Sequence, residues 1–255
     1  MRLGKNQLLR CKYGWMLFDG PYIGKCFELY GQYSEDEVRV LRAFLHPGDT
    51  AIDVGANIGD LTVPMAGLVG EAGRVYAFES HSTTFNTLCA NLALNQIANT
   101  KPINAFVADS DQVETASPVW GEFGYVSRAW KPPFLSIDNL ALDRCDFIKI
   151  DVDGNELAVL RSGADTIART RPVIYLENDV REKSAALLDY LLRADYGLYW
   201  HRAPIFEPEN FFGNPVNHWA PQNIISQMIL CLPREKSASV RIALPPVTDK
   251  DAWWP

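Results

Sequence analysis

Three stretches of this chain combine residue types that can bind a ligand or move a proton. The first is Asp53-Val54-Gly55-Ala56-Asn57-Ile58-Gly59, an acid and two glycines at the end of an apolar run. Glycines there let the backbone turn tightly and approach a ligand closely. A dinucleotide loop, G-x-G-x-x-G, uses its middle glycine to admit a pyrophosphate; Asn57 fills that position here. The second stretch is Phe78-Glu79, whose acid lies 24 residues past Gly55 (79 − 55 = 24). A carboxylate so placed accepts hydrogen bonds from two ribose hydroxyls. The third ends another apolar run in Asp151, with Asp153, Gly154 and Glu156 following. An ionised acid closing a buried strand needs a partner. A glycine loop and a second acid, without the pyrophosphate glycine, point to S-adenosylmethionine.

These residues need elements to hold them. Thr50–Val54, Arg74–Phe78, Pro102–Val107, Phe147–Asp151 and Pro172–Leu176 read as strands, with two more near Gly197–His201 and Ile225–Leu232. Between them, apolar residues at helical spacing predict helices over about 59–68, from Ser82 to Asn95, over about 154–168 and over about 181–194. Residues 110–137, with Pro118, Gly121, Gly124, Pro132 and Pro133, read as a loop or hairpin insertion. Strand alternating with helix means a mostly parallel sheet covered on both faces. Ligands in such sheets sit beyond the strand C-termini at the switch point in strand order.

Composition narrows the classes further. The chain has 255 residues, 24 Lys and Arg against 31 Asp and Glu, and so a net charge of −7. No basic footprint for nucleic acid is present, and no apolar stretch approaches the roughly 18 residues that span a bilayer. The five cysteines are scattered with no CxxC pair, which argues against a zinc site or a disulfide frame. Residues 1–5 lack a signal-peptide hydrophobic region. The expectation is a reduced, cytoplasmic protein. An aromatic and helical extension over 1–49 leads into a cofactor-binding domain over 50–233, and a tail follows over 234–255. The tail's Trp253-Trp254 packs internally or across a homodimer.

Four stretches resemble the FkbM-type methyltransferases, S-adenosylmethionine-dependent enzymes that methylate hydroxyl oxygens. They are Tyr30-Gly31-Gln32-Tyr33-Ser34 with Glu37, Asp53 to Gly59, Val75 to Glu79, and Ile148-Lys149-Ile150-Asp151-Val152-Asp153-Gly154-Asn155-Glu156 running on to Ala164. The resemblance runs from about residue 20 to 235. It implies an α/β fold of the class I methyltransferase (Rossmann-like) type, a seven-stranded mostly parallel sheet with helices on both faces and an antiparallel last strand. It further implies that Asp53 and Gly55 line the methionine and ribose part of the cofactor, that Asn57 and Gly59 shape the loop, and that Glu79 holds the ribose. Ser80 and Asp109 would stand on the adenine side, Glu37 at the methionine amino end, and Asp151 at the ammonium group or the acceptor.

Moving a methyl onto an alcohol also requires removal of a proton. Asp151, His201 and His218 are the candidate bases. Asp151 with Glu177, Asn178 or Asp179 could also gather oxygens around Mg²⁺, but a strand-end turn capping the helix at 181 is the preferred reading and no metal is expected. The segment 203–223, rich in Asn and aromatic residues around Phe211 to Trp219, suits a small-molecule or glycan acceptor. Methylation of a non-sugar product, an NAD(P)-dependent oxidoreductase and a non-catalytic cofactor-binding partner are the competing readings. Asn57 in the glycine position and the lack of a Tyr-x-x-x-Lys pair weigh against the oxidoreductase.

Overall fold

The computed structural model describes residues 2–3, 5–108, 132–220, 225–237 and 243–254. Its elements run β1 (Arg2–Leu3), β2 (Asn6–Cys11), β3 (Gly14–Phe18), α1 (Ile23–Tyr30), α2 (Glu35–Phe44), β4 (Thr50–Val54), α3 (Thr62–Val69), β5 (Arg74–Phe78), α4 (Ser82–Leu94) and β6 (Thr100–Ile103). They continue with β7 (Phe106–Val107), β8 (Phe134–Leu135), a 3₁₀ turn (Asp138–Leu140), β9 (Phe147–Ile150), α5 (Glu156–Ser162), α6 (Ala164–Thr170), β10 (Val173–Glu177), α7 (Arg181–Arg193), β11 (Tyr196–Pro204), β12 (Ile225–Pro233) and α8 (Arg234–Ser237).

Seven strands form the central sheet in the order β11-β12-β10-β9-β4-β5-β6. β4, β5, β6, β9 and β10 pair in parallel, while β12 runs against both β10 and β11. The expected α/β sheet with its reversed last strand is thus present. Strand order reverses between β4 and β9, so their C-terminal ends open the crevice where a ligand is expected. Side chains alternate across the sheet. Ile148 and Ile150 face α5, α6 and α7 in one core layer, whereas Phe147 packs with Leu41, Met65 and Val69 of α2 and α3 in the other. Lys149, between Ile148 and Ile150, shares the Phe147 side.

Three expectations about elements change. The strand expected over 102–107 is split: β6 ends at Ile103, and β7 leaves the sheet to pair with β8. Asn104 marks the break by turning its amide onto the Glu79 and Ser80 carbonyls at 2.7 and 3.1 Å. The helix expected over 154–168 is two helices meeting at Gly163, where a Cβ would lie 3.0 Å from the Ile137 side chain. The Asp138 carboxylate then accepts the Asp165 and Thr166 N–H groups and starts α6 afresh. The N-terminal segment holds a β-hairpin as well as helices. The insertion expected over 110–137 falls largely outside the described residues.

The hairpin docks through a side-chain ladder. Asn95, which caps the C-terminus of α4, accepts from the Trp15 N–H at 2.7 Å and donates to the Trp15 carbonyl at 2.7 Å. Asn91 does the same for Leu17 at 2.6 and 2.9 Å, and also donates to the Ile58 carbonyl at 2.8 Å. One helical turn rises about 5.4 Å and two strand residues about 6.6 Å, so asparagines four apart match alternate strand residues. Gly14 leaves room: a Cβ there would lie 2.1 Å from Asn95 Oδ1. At the other end, the tail packs inward. Trp254 lies 4.4 Å from Trp200 between ring centroids, and its indole N–H donates to the Asn178 carbonyl at 3.0 Å.

Removing the buried Asn91 amide strands groups on the hairpin and on the glycine loop. Asn91→Ala is expected to lower unfolding free energy by about 2–4 kcal/mol and Asn95→Ala by less. Urea denaturation checks this; equal small losses for the two variants would contradict it.

Candidate active site

The glycine loop leaves β4 through conformations that side chains disfavour. Gly55 has φ +78°, and a Cβ there would sit 1.8 Å from the Asp151 carbonyl oxygen. Glycine therefore allows the ends of β4 and β9 to close together. Gly55 and Ala56 both donate to the Phe78 carbonyl, at 3.0 and 2.9 Å. Asn57 has φ +48° and Gly59 φ +92°; asparagine tolerates the left-handed region better than most residues. Glu79 fastens the loop from the side. Its carboxylate accepts the Asn57 N–H at 3.0 Å and the His81 N–H at 2.7 Å. Burial pushes Glu79 up to about 7, against the pull of those two N–H groups. Ser80 follows with its carbonyl held by Asn104. Asp109 lies outside the described residues.

Lys149 stands beneath this loop, 2% exposed. Its Nζ donates to the Gly55 carbonyl at 2.9 Å and pairs with Asp53 at 3.3 Å and Asp151 at 3.5 Å. Asp53 is fully buried and also accepts from the Thr62 hydroxyl at 2.6 Å, so it ties the loop to the start of α3. Asp60 and Glu37 complete the surround of the ammonium group. Burial pushes Asp60 up to about 8, opposed by Lys149 and reinforced by Asp53. Glu37, buried on α2, accepts from the Ser34 hydroxyl at 2.6 Å. Burial pushes it up to about 7, against that hydrogen bond and with the Asp151 charge adding to the rise.

Asp151 differs from these acids in openness: its side chain is 39% exposed, against 0% for Asp53. Glu177, at the end of β10, keeps its Oε2 buried without a hydrogen-bond partner. Burial, then the Asp151 and Asp179 charges, holds Glu177 well above the usual carboxylate range. Asp179 is exposed and Asn178 points away, its amide donating to Ser184 of α7 at 2.9 Å. Among the described residues no group of three or more His, Cys, Asp and Glu is arranged to hold a metal ion. Glu156 accepts from the Val152 and Gly154 N–H groups at 3.3 and 2.9 Å and so shapes the turn after Asp151.

The other wall comes from the N-terminal segment and the loop after β11. Tyr22 meets Tyr33 and Trp219 edge-on, at 6.2 and 5.6 Å between ring centroids. Both tyrosines lie within electrostatic reach of Glu37 and Asp151, and burial raises both. Tyr30 pins the loop by accepting the His218 N–H at 2.9 Å and donating to the Val216 carbonyl at 3.2 Å. The His218 side chain itself is exposed, 6.3 Å from Tyr30 between rings. His201 is buried with both ring nitrogens engaged, Nδ1 with the Tyr175 hydroxyl at 2.7 Å and Nε2 with Asp36 at 3.2 Å. Burial lowers its pKa, with Asp36 opposing. The strand ends thus gather Glu37, Asp53, Gly55, Glu79 and Asp151, while His201 is committed to the α2 contact and His218 to the rim.

Lys149 and Asp60 were not among the expected site residues. The signal for Lys149 was present: a lone cation inside Phe147-Ile148-Lys149-Ile150 must find acids when the strand is buried. Asp60 gave no such signal, because an acid after Gly59 reads equally as a solvated turn.

Residues 53–198, more than half the chain, match the Methyltransferase FkbM domain. A tRNA(Phe) (4-demethylwyosine(37)-C(7)) aminocarboxypropyltransferase of Methanocaldococcus jannaschii is 26% identical over 166 residues, 65% of this chain; the chain spans 61% of that relative's length. Among solved structures, a precorrin-6y C5,15-methyltransferase from Geobacter metallireducens superposes with a TM-score of 0.51 at 14% identity, over 84% of this chain and 100% of that one. The M. jannaschii TYW2 protein in complex with AdoMet aligns over 91% of this chain and 87% of its own, at 16% identity and a TM-score of 0.48. Family match, strand order and glycine loop agree, and the chain belongs to the FkbM family of S-adenosylmethionine-dependent methyltransferases.

Proposed function

We propose that this protein transfers a methyl group from S-adenosylmethionine to a hydroxyl oxygen of a sugar or glycan precursor, with Asp151 as the base. The observation that carries the reading is Asp151 itself, a partly open carboxylate at the switch point, ringed by buried acids and fixed by Lys149. The residues present fit the cofactor: the crevice is acidic where a sulfonium and an ammonium would lie, and the glycine loop has no space for side chains. S-adenosylmethionine supplies an electrophilic methyl, and the acceptor oxygen takes it by in-line displacement.

The chain's own residues then have separable tasks. Glu79 uses one lone pair on each oxygen for the loop and keeps others for the ribose hydroxyls. Asp53, Asn57 and Gly59 hold the loop's shape, and Glu37 faces the cationic end of the cofactor. Asp151 accepts the hydroxyl proton. Holding the acceptor oxygen in near-attack geometry supplies much of the rate. Tyr22, Tyr33 and Trp219 offer the ring faces, and the 203–223 loop the amides, that a sugar needs. The net charge of −7 favours such an acceptor over a nucleic acid.

Calorimetry with S-adenosylhomocysteine, NAD⁺ and NADP⁺ tests the cofactor. The first alone should bind, and Glu79→Ala should weaken it by roughly tenfold or more; binding of NAD⁺ alone would defeat the reading. Asp151→Asn should lower turnover by roughly 10²–10⁴-fold while S-adenosylhomocysteine still binds. Unchanged turnover would remove Asp151 as the base.

The raised acids also set a pH dependence. Glu37 and Asp60 ionise near 7 and 8, so the crevice gains negative charge as pH rises through that window. A cationic sulfonium benefits and a neutral thioether does not. The affinity of S-adenosylmethionine relative to S-adenosylhomocysteine should rise roughly three- to tenfold between about pH 6 and about pH 8.5. A flat ratio would show that these acids do not face the cofactor.

A further inference from the structure

At the opposite end of the sheet lies a groove of about 1080 Å³, between the β2–β3 hairpin, α3 and the α4–β6 connection. β5 and β6 begin there, a strand length of roughly 15 Å from the carboxylates. We propose that this groove binds an anionic saccharide, independently of the methyl-transfer reading above.

Its charge is the first argument. Arg10, Arg74 and Lys101 line the groove and are all exposed, with Glu71 as its acid. Arg10 sends one N–H to the Cys11 carbonyl at 3.2 Å. Among the described residues no carboxylate forms a salt bridge with any of the three cations. Other basic side chains do have such partners, as Lys12 has Glu35, Arg39 has Asp36 and Glu207, and Arg144 has Asp49 and Asp146. In a chain of net charge −7, a cluster of unpaired cations around one concavity is a local inversion of sign that attracts anions.

Trp15 lines the same groove. Its side chain is 46% exposed on the groove wall, beside Leu94 at 40%. Asn95 grips both the N–H and the carbonyl of Trp15, so the indole projects from a fixed backbone. An exposed, pre-positioned ring loses little entropy when a ligand stacks on it. The C–H face of a pyranose matches an indole, and sugar carboxylates or sulfates match arginine and lysine.

The hairpin edge is closed to a peptide occupant. β3 is an edge strand of the hairpin sheet, and a bare edge would invite an added strand. Here Asn91 and Asn95 occupy the outward N–H and carbonyl of Leu17 and Trp15. Recognition in the groove must therefore run through side chains. A nucleic acid would need a longer track of cations than three around one ring.

The test is calorimetry on the full chain with tetragalacturonate, tetramannuronate and a heparin tetrasaccharide, each against its uncharged counterpart, and with a uridine-rich RNA oligomer. At least one anionic saccharide should bind roughly tenfold or more tightly than its uncharged counterpart and than the RNA. Arg74→Ala with Lys101→Ala, and separately Trp15→Ala, should each weaken that binding by roughly tenfold. Arg74→Lys with Lys101→Arg should restore most of it, which separates lost charge from lost folding. Saturating S-adenosylhomocysteine and Asp151→Asn should leave it unchanged. Failure of all three saccharides to bind, equal binding of the uncharged forms, insensitivity to the variants, or tighter binding of RNA would each overturn the proposal. Failure of the methyl-transfer reading would show instead as loss of S-adenosylhomocysteine binding in the unmodified protein.

Discussion

A single buried ammonium group organises the end of the sheet where the chemistry is expected. Removing a charge from water costs several kcal/mol even after relaxation, and good geometry with complete hydrogen bonding must offset it. Lys149 meets that demand by drawing in the Gly55 carbonyl, Asp53 and Asp151 together. These partners come from β4, from the loop after it and from the end of β9, so the ion cluster fixes the relation of the two strands that flank the switch point. It also divides the acids. Asp53 and Asp151 lie within ion-pair distance of the ammonium, while Glu37 and Asp60 are pushed up by burial into the neutral pH range. One cation cannot neutralise four acids, and burial raises two of them, Glu37 and Asp60.

Legibility in the sequence follows how local each constraint is. The parallel strands are short, mostly apolar and mostly buried, so Thr50–Val54, Arg74–Phe78 and Phe147–Ile150 could be read to within a residue. The helix from Ser82 was legible because Leu88 and Leu92 repeat one turn apart. The break at Gly163 was not, because it depends on Ile137 pressing against that position from 26 residues away. The N-terminal hairpin was hidden for a related reason. Its edge is satisfied by asparagines about 75 residues downstream, and nothing within residues 6–18 announces them.

The same contrast separates the site residues. Gly55, Asn57, Glu79 and Asp151 belong to local motifs whose backbone geometry the residue types require. Histidine carries no such geometry, and chemical versatility alone made His201 a candidate. In the fold it is a buried link between β10 and α2, spending both nitrogens on Tyr175 and Asp36. Asn178 shows the same ambiguity: an amide beside two acids reads as a metal ligand, yet it turns to Ser184 and steadies α7.

The two ends of the sheet are also electrically opposed, and the backbone shows why each sign sits where it does. At the C-terminal ends, acids gather because the buried lysine needs counter-charges and because the N–H groups of Asn57 and His81 favour a carboxylate. At the N-terminal ends, the asparagine ladder has already satisfied the hairpin edge with neutral amides. Among the described residues Arg10, Arg74 and Lys101 have no carboxylate partner there, and cations without counter-charges repel one another. An anion approaching from solution would relieve that repulsion, and the fixed Trp15 backbone gives that approach a defined geometry.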